Sequence, residues 1–114
     1  MERSLLIVGG GGFIGGFIAA EALRRGYATT VTVRPSTSRR FLGDSRLKFL
    51  ELDYEDVEAM ARALAEAMPE QGWHDIVYNL GATKCTNFLD FNRINYRYLC
   101  NFTEALRKAG AVPR

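Results

Sequence analysis

The chain has 114 residues, 47% of them hydrophobic and 25% charged, with a formal net charge of +2. That is the composition of one small globular domain. A charge this near zero makes no case for nucleic acid or an anionic membrane as partner, and no apolar run approaches the ~18 residues of a membrane-spanning helix. Cys85 and Cys100 are too few for a disulfide framework and read as free thiols. The chain enters its first apolar run with no basic region or cleavage site before it, so the expectation is a cytoplasmic protein.

Leu5-Leu6-Ile7-Val8 is apolar throughout, as suits a strand covered on both faces. Glycines follow, and then Phe13, Ile14, Phe17, Ile18 and Leu23 recur at helical spacing up to Arg24 and Arg25. Those arginines suit the negative end of a helix dipole, and Gly26 suits the C′ position. Strand, tight glycine turn and helix form the setting in which glycines receive a dinucleotide pyrophosphate. The helix's first-turn N–H groups have no internal partner and point at the anion.

A turn alone needs one or two glycines. Gly9 to Gly12 with Gly15 and Gly16 place six in eight positions, at roughly 1 kcal/mol for each one inside a helix. Gly10, Gly12 and Gly15 fit G-x-G-x-x-G, whereas Gly9, Gly12 and Gly15 fit G-x-x-G-x-x-G. The glycines by themselves leave both open. A Walker loop is excluded because Gly16, not Lys, follows Gly15. A kinase loop is excluded because it lies between strands and is followed by Val.

Thr29–Val33 is β-branched and reads as the second strand, stopped by Pro35-Ser36-Thr37-Ser38. Arg39–Leu42 has room for one helical turn. Leu47–Leu52 is the third strand. Asp56 can cap a helix whose stripe is Val57, Met60, Ala61, Leu64 and Met68, ended by Pro69 and Gly72. Ile76–Leu80 is the fourth strand and Gly81–Asn87 a polar loop. A last helix is expected over Phe88–Ala109, with Phe91, Ile94, Tyr98, Leu99, Phe102, Ala105 and Leu106 on one face and Gly110 at its end.

The order β-α-β-β-α-β-α predicts an α/β fold, a three-layer, doubly wound parallel sheet in order 3-2-1-4. The first helix should lie on one face and the other two on the opposite face. Strands one and four then flank the switch point, where ligands bind at the C-terminal ends of strands.

Four stretches resemble one family, the extended short-chain dehydrogenases/reductases, which include nucleotide-sugar epimerases, dehydratases and dihydroflavonol-4-reductase-like enzymes. Gly9-x-x-Gly12-Phe13-Ile14-Gly15 is similar to that family's cofactor loop, which selects the second glycine spacing. Leu52-Asp53 resembles the acidic position that contacts adenine, with Tyr54 beside it. Asn79-Leu80-Gly81-Ala82 resembles the motif ending strand four, beside the ribose and pyrophosphate. Ile94-Asn95-Tyr96, followed by Asn101-Phe102-Thr103-Glu104-Ala105, resembles the family's helix with an internal Asn.

The resemblance implies a Rossmann-type NAD(P)-binding domain with Gly9, Gly12, Phe13, Ile14, Gly15, Asp53, Tyr54, Leu80, Gly81, Ala82 and Asn95 at the cofactor. Val8 and Gly11 stand where Thr is frequent, and Asn79 and Gly81 replace the commoner His and Ala. The larger departure concerns catalysis. The family uses Tyr-x-x-x-Lys with a Ser or Thr, and none of Tyr27, Tyr54, Tyr78, Tyr96 or Tyr98 has Lys four residues on. In the family those residues lie beyond a fifth strand. The expectation is therefore the N-terminal part of a longer enzyme, non-catalytic by itself, with the small-molecule substrate's site elsewhere in the parent protein. The alternative is a non-catalytic dinucleotide sensor of the same fold.

Arg34 follows strand two where an NAD site usually carries an acidic residue for the ribose 2′-OH. A guanidinium there suits a 2′-phosphate, with Ser36, Arg39 and Arg40 near in sequence, so NADP is expected ahead of NAD. A solvated basic loop and, for Asp53, a helix cap are the plainer alternatives. His74 has no ligand-spaced partner and is expected as an exposed loop histidine, and Lys84 as a solvated lysine; no metal site is expected. An unpaired edge on strand four predicts self-association through that edge or the last helix.

Overall fold

The computed structural model describes residues 3–9, 13–34, 42–80, 89, 92 and 96–110, Phe13 by its backbone alone. Its elements run β1 (Ser4–Val8), α1 (Phe13–Arg24), β2 (Ala28–Val33), β3 (Lys48–Glu51), α2 (Val57–Ala67), β4 (Asp75–Tyr78) and α3 (Tyr98–Ala109). All the strand pairs are parallel and the sheet order is β3-β2-β1-β4, as expected from the alternation of elements. Leu6 is in register with Thr30 on one side and with Ile76 on the other.

Side chains of a strand alternate between faces, and that alternation builds two cores. Leu5 and Ile7 pack with Ala19, Ala22 and Leu23 of α1, and with Val31 and Val33 of β2. Leu6 and Val8 pack with Met60 and Leu64 of α2, and with Phe102 and Leu106 of α3. Helix α1 therefore covers one face, and α2 and α3 cover the other, as predicted. Each of the larger side chains among these, once fully buried, contributes about 1.5–3 kcal/mol.

The helix ends follow local chemistry. Gly26, at φ +84°, ends α1; its N–H donates to Leu23 O, and the Tyr27 N–H donates to Ala22 O, the paired bonds of a Schellman cap. The Asp56 carboxylate accepts the Ala59 N–H at 3.0 Å and starts α2. Gly110, at φ +68°, closes α3.

Two expectations need correction. β4 ends at Tyr78 instead of Leu80. β1 stops at Val8, whose carbonyl takes the last ladder bond from the Asn79 N–H at 2.8 Å, so nothing remains for Leu80 to pair with. The last helix follows its expected course where it is described: Leu89 and Asn92 are helical, and a π-type turn at Tyr96 and Arg97 leads into the regular segment from Tyr98. Tyr98 is buried in the core, whereas Tyr96 and Arg97 are exposed. Much of the expected segment 88–95, and the turn at Arg39–Leu42 apart from Leu42, lie outside the described residues. Finally, His74 is half-buried: its Nδ1 accepts the Ser4 N–H at 3.0 Å, and its own N–H donates to Ser4 O at 3.1 Å. It ties the start of β4 to the start of β1, a contact across 70 residues that no local spacing announces.

Candidate functional site

The C-terminal ends of β1 and β4 meet at Gly9. Its φ is +80°, and a Cβ added there would lie 3.0 Å from both the Asn79 carbonyl oxygen and Leu80 Cα. Only glycine lets the two backbones come this close without strain. Leu80, half-buried, thus stands beside the glycine turn although it belongs to no strand. Both polar groups of Gly9 are held. Its N–H donates to Thr32 Oγ1 at 3.0 Å, and its carbonyl accepts Asn79 Nδ2 at 3.4 Å.

Helix α1 begins four residues beyond Gly9, at Phe13. The amides of Phe13 and Ile14 belong to its first turn, which has no intrahelical acceptor for them. Ile14 presents its side chain to solvent, and Gly15 is buried where α1 lies on the sheet. A positive helix end therefore sits at the strand ends, in the geometry that suits an anion. The residues present fit a dinucleotide at this place. Gly12, Gly81, Ala82 and Asn95 lie outside the described residues, as do Lys84 and Cys85.

Arg34 directly follows β2 and is exposed. Asp53 is exposed in the turn after β3, and its Oδ1 accepts the Glu55 N–H at 3.0 Å; the helix cap is Asp56 and not Asp53. Tyr54 is buried, with its hydroxyl 2.7 Å from Thr32 Oγ1. Burial raises the Tyr54 phenol above its ordinary value, while the Thr32 hydrogen bond and the charge of Arg34 act the other way. Helix α3 reaches the same turn. Asn101 Nδ2 donates to the Tyr54 carbonyl at 2.9 Å, Tyr98 donates to Glu55 at 3.0 Å, and the Tyr54 and Tyr98 rings stack with centroids 5.6 Å apart.

Gly9, Leu80 and Tyr54 are thus brought into one connected group, with Arg34 within electrostatic reach of Tyr54. Two members of that group were not among the expected site residues, Thr32 and Asn101. Thr32 is buried in a run that reads as ordinary β-branched strand. Its one sequence signal is alternation: Val31 and Val33 serve one face, and the hydroxyl sits between them. Among the described residues no group of three metal-ligating side chains converges, and no helix is long and apolar enough to cross a membrane.

This geometry has relatives. A protein from Burkholderia multivorans provisionally described as a short-chain alcohol dehydrogenase matches with a TM-score of 0.81 at 28% identity, over 100% of this chain and 58% of its own. A second from the same organism, provisionally described as a short-chain dehydrogenase/reductase and holding NADP, matches at 0.77 and 25% identity, over 96% of this chain and 54% of its own. The UDP-glucose 4-epimerase of Thermus thermophilus, in complex with NAD, shares the fold at 0.75 and 24% identity, over 96% of this chain and 35% of its own. The chain thus spans little more than half the length of the first of these relatives, and about a third of the epimerase. No curated protein sequence matches it. The family described as NAD dependent epimerase/dehydratase matches residues 5–113. With a parallel sheet in order 3-2-1-4 and a glycine turn at its switch point, the chain is a member of the NAD dependent epimerase/dehydratase family.

Proposed function

We propose that this chain is the N-terminal, cofactor-binding part of an NADP-dependent oxidoreductase, epimerase or dehydratase of the cytoplasm. The observation that carries the reading is Gly9, held at φ +80° against Leu80 where β1 and β4 end, with the start of α1 just beyond. The pyrophosphate would take the amides of Gly12, Phe13 and Ile14, and adenine would lie near Asp53. Gly81, Ala82 and Asn95 would line the ribose side. Arg34 would meet the 2′-phosphate with a guanidinium fork. The bound NADP and NAD of the two relatives support a nicotinamide dinucleotide. When bound, the nicotinamide supplies a hydride donor or acceptor. The residues of this chain bind and orient it, and the Tyr/Lys pair that would move the proton would come from the rest of the parent enzyme.

Titration of the chain with NADP and NAD tests this. Arg34→Ala should weaken NADP by about tenfold or more, the value of one lost charge-assisted pairing, and leave NAD nearly unchanged. Equal losses for both cofactors would remove the 2′-phosphate role. Failure of the unaltered chain to bind either one would remove the dinucleotide reading itself.

A further inference from the structure

We propose that Thr32 is a positioning residue for the dinucleotide turn, acting through the Gly9 amide and tied by Tyr54 to helix α3. The inference rests on the dinucleotide reading above and adds to it a residue that never meets the cofactor.

Thr32 is 1% exposed and Tyr54 2%. A hydroxyl taken out of water costs free energy unless it is bonded, and Val would fill the same shape without that cost. Thr32 spends its hydroxyl on Gly9. The β1–β2 ladder has its last register pair at Ile7 and Val31, so Gly9 lies two residues beyond the paired part of β1. Thr32 Oγ1, at 3.0 Å, takes the place of a ladder carbonyl and extends the pairing by one side-chain bond. The Gly9 carbonyl is held from the other side by Asn79. The turn thus leaves the sheet in one orientation, and that orientation sets where the amides of α1 point.

The second partner of Thr32 carries the constraint outward. The Tyr54 hydroxyl fixes the Thr32 rotamer at 2.7 Å. Asn101 and Tyr98 of α3 in turn fix residues 54 and 55. Arg34 lies two residues beyond Thr32 on the same strand direction, and its charge acts on the Tyr54 hydroxyl. Binding at the turn and binding at Arg34 therefore share one rigid support.

The test uses the whole 114-residue chain with NADPH as probe. Two quantities are read: the dissociation constant by fluorescence titration, and the hydrogen exchange of the Gly9 amide without cofactor. Thr32→Val should speed Gly9 exchange and raise the NADPH constant by about tenfold each, the effect of one hydrogen bond. Amides inside β1, such as Leu6, should stay protected. Thr32→Ser keeps the hydroxyl and should restore both readouts to within about threefold. If Thr32→Val fails to fold, Tyr54→Phe leaves the Thr32–Gly9 bond and removes only its brace, and a loss of about threefold is expected. Unchanged NADPH binding in the folded Thr32→Val chain, or in Tyr54→Phe where only that variant folds, overturns the positioning role, whatever Gly9 exchange does. An unaltered chain that binds no NADPH overturns the dinucleotide reading and this inference with it. Normal binding by the unaltered chain with an indifferent Thr32→Val overturns the inference alone.

Discussion

Gly9 and Leu80 pack backbone to backbone: a Cβ on Gly9 would stand 3.0 Å from Leu80 Cα and 3.1 Å from Leu80 Cβ. The ends of β1 and β4 are locked together there by the lack of one carbon. Gly9→Ala would meet two costs, a left-handed backbone at about 1–2 kcal/mol and a displaced β4 terminus. Stability should fall by about 2–3 kcal/mol, read as a lower urea midpoint at unchanged m value. Gly26→Ala is the control, because φ is +84° there and no atom lies within 4 Å of the added Cβ. Equal costs for the two variants would show that the close approach contributes nothing.

The Tyr78 hydroxyl is buried and has no hydrogen-bond partner among the described residues. Burial pushes its phenol up to about 12 from an ordinary 10.0, with Tyr54 and Cys100 adding to the shift. The folded-state value is the raised one. The stabilisation is therefore fully present below pH 10 and is lost as pH rises through 12, since only the unfolded chain releases the proton in between. Urea titrations at about pH 8, 10 and 12 should show stability holding and then falling. Tyr78→Phe should be neutral or stabilising at about pH 8, since it removes an unpaired hydroxyl, and should flatten the alkaline loss. An unaltered alkaline slope in that variant would assign the loss to another group.

Self-association is expected along β4. Among the described residues β4 pairs with β1 alone, which leaves its other edge open. Beside that edge lies a groove of about 560 Å³, lined in part by Leu5, Phe17, Ile18, Ala22 and Val77. Phe17 is 69% exposed. Sedimentation at roughly tens of micromolar should show a dimer or larger species, the affinity that an interface of ordinary size commonly reaches. Phe17→Glu should shift it toward monomer. A monomer for the unaltered chain at that concentration would rule the edge out as an interface.

Turnover by this chain alone is not expected, because none of its tyrosines is followed four residues later by Lys. Purified chain supplied with NADPH and a panel of sugar-nucleotide and carbonyl substrates should leave the cofactor absorbance constant. Steady oxidation would place the proton-transfer group among the residues present here.

What the sequence determines by itself is what neighbours along the chain decide. The apolar run at Leu5–Val8, the glycines after it, the Asp56 cap and the stripe of Met60, Ala61 and Leu64 each depend on residues a few positions apart. The strand, the cap and the stripe stand in the structure as read. The strand order follows from them too, because helices between parallel strands leave few ways to cross over. The turn at Gly9 and the helix beyond it were legible for the same reason.

Only the tertiary structure decides which polar groups meet. Thr32 reaches Tyr54 across 22 residues, Ser4 reaches His74 across 70, and Asn101 reaches Tyr54 across 47. No periodicity records such pairs. A threonine among valines looks the same whether it merely favours a strand or holds the amide of a glycine turn. Burial makes the difference, since a hydroxyl removed from water must find a partner, and the fold alone determines which partner is within reach.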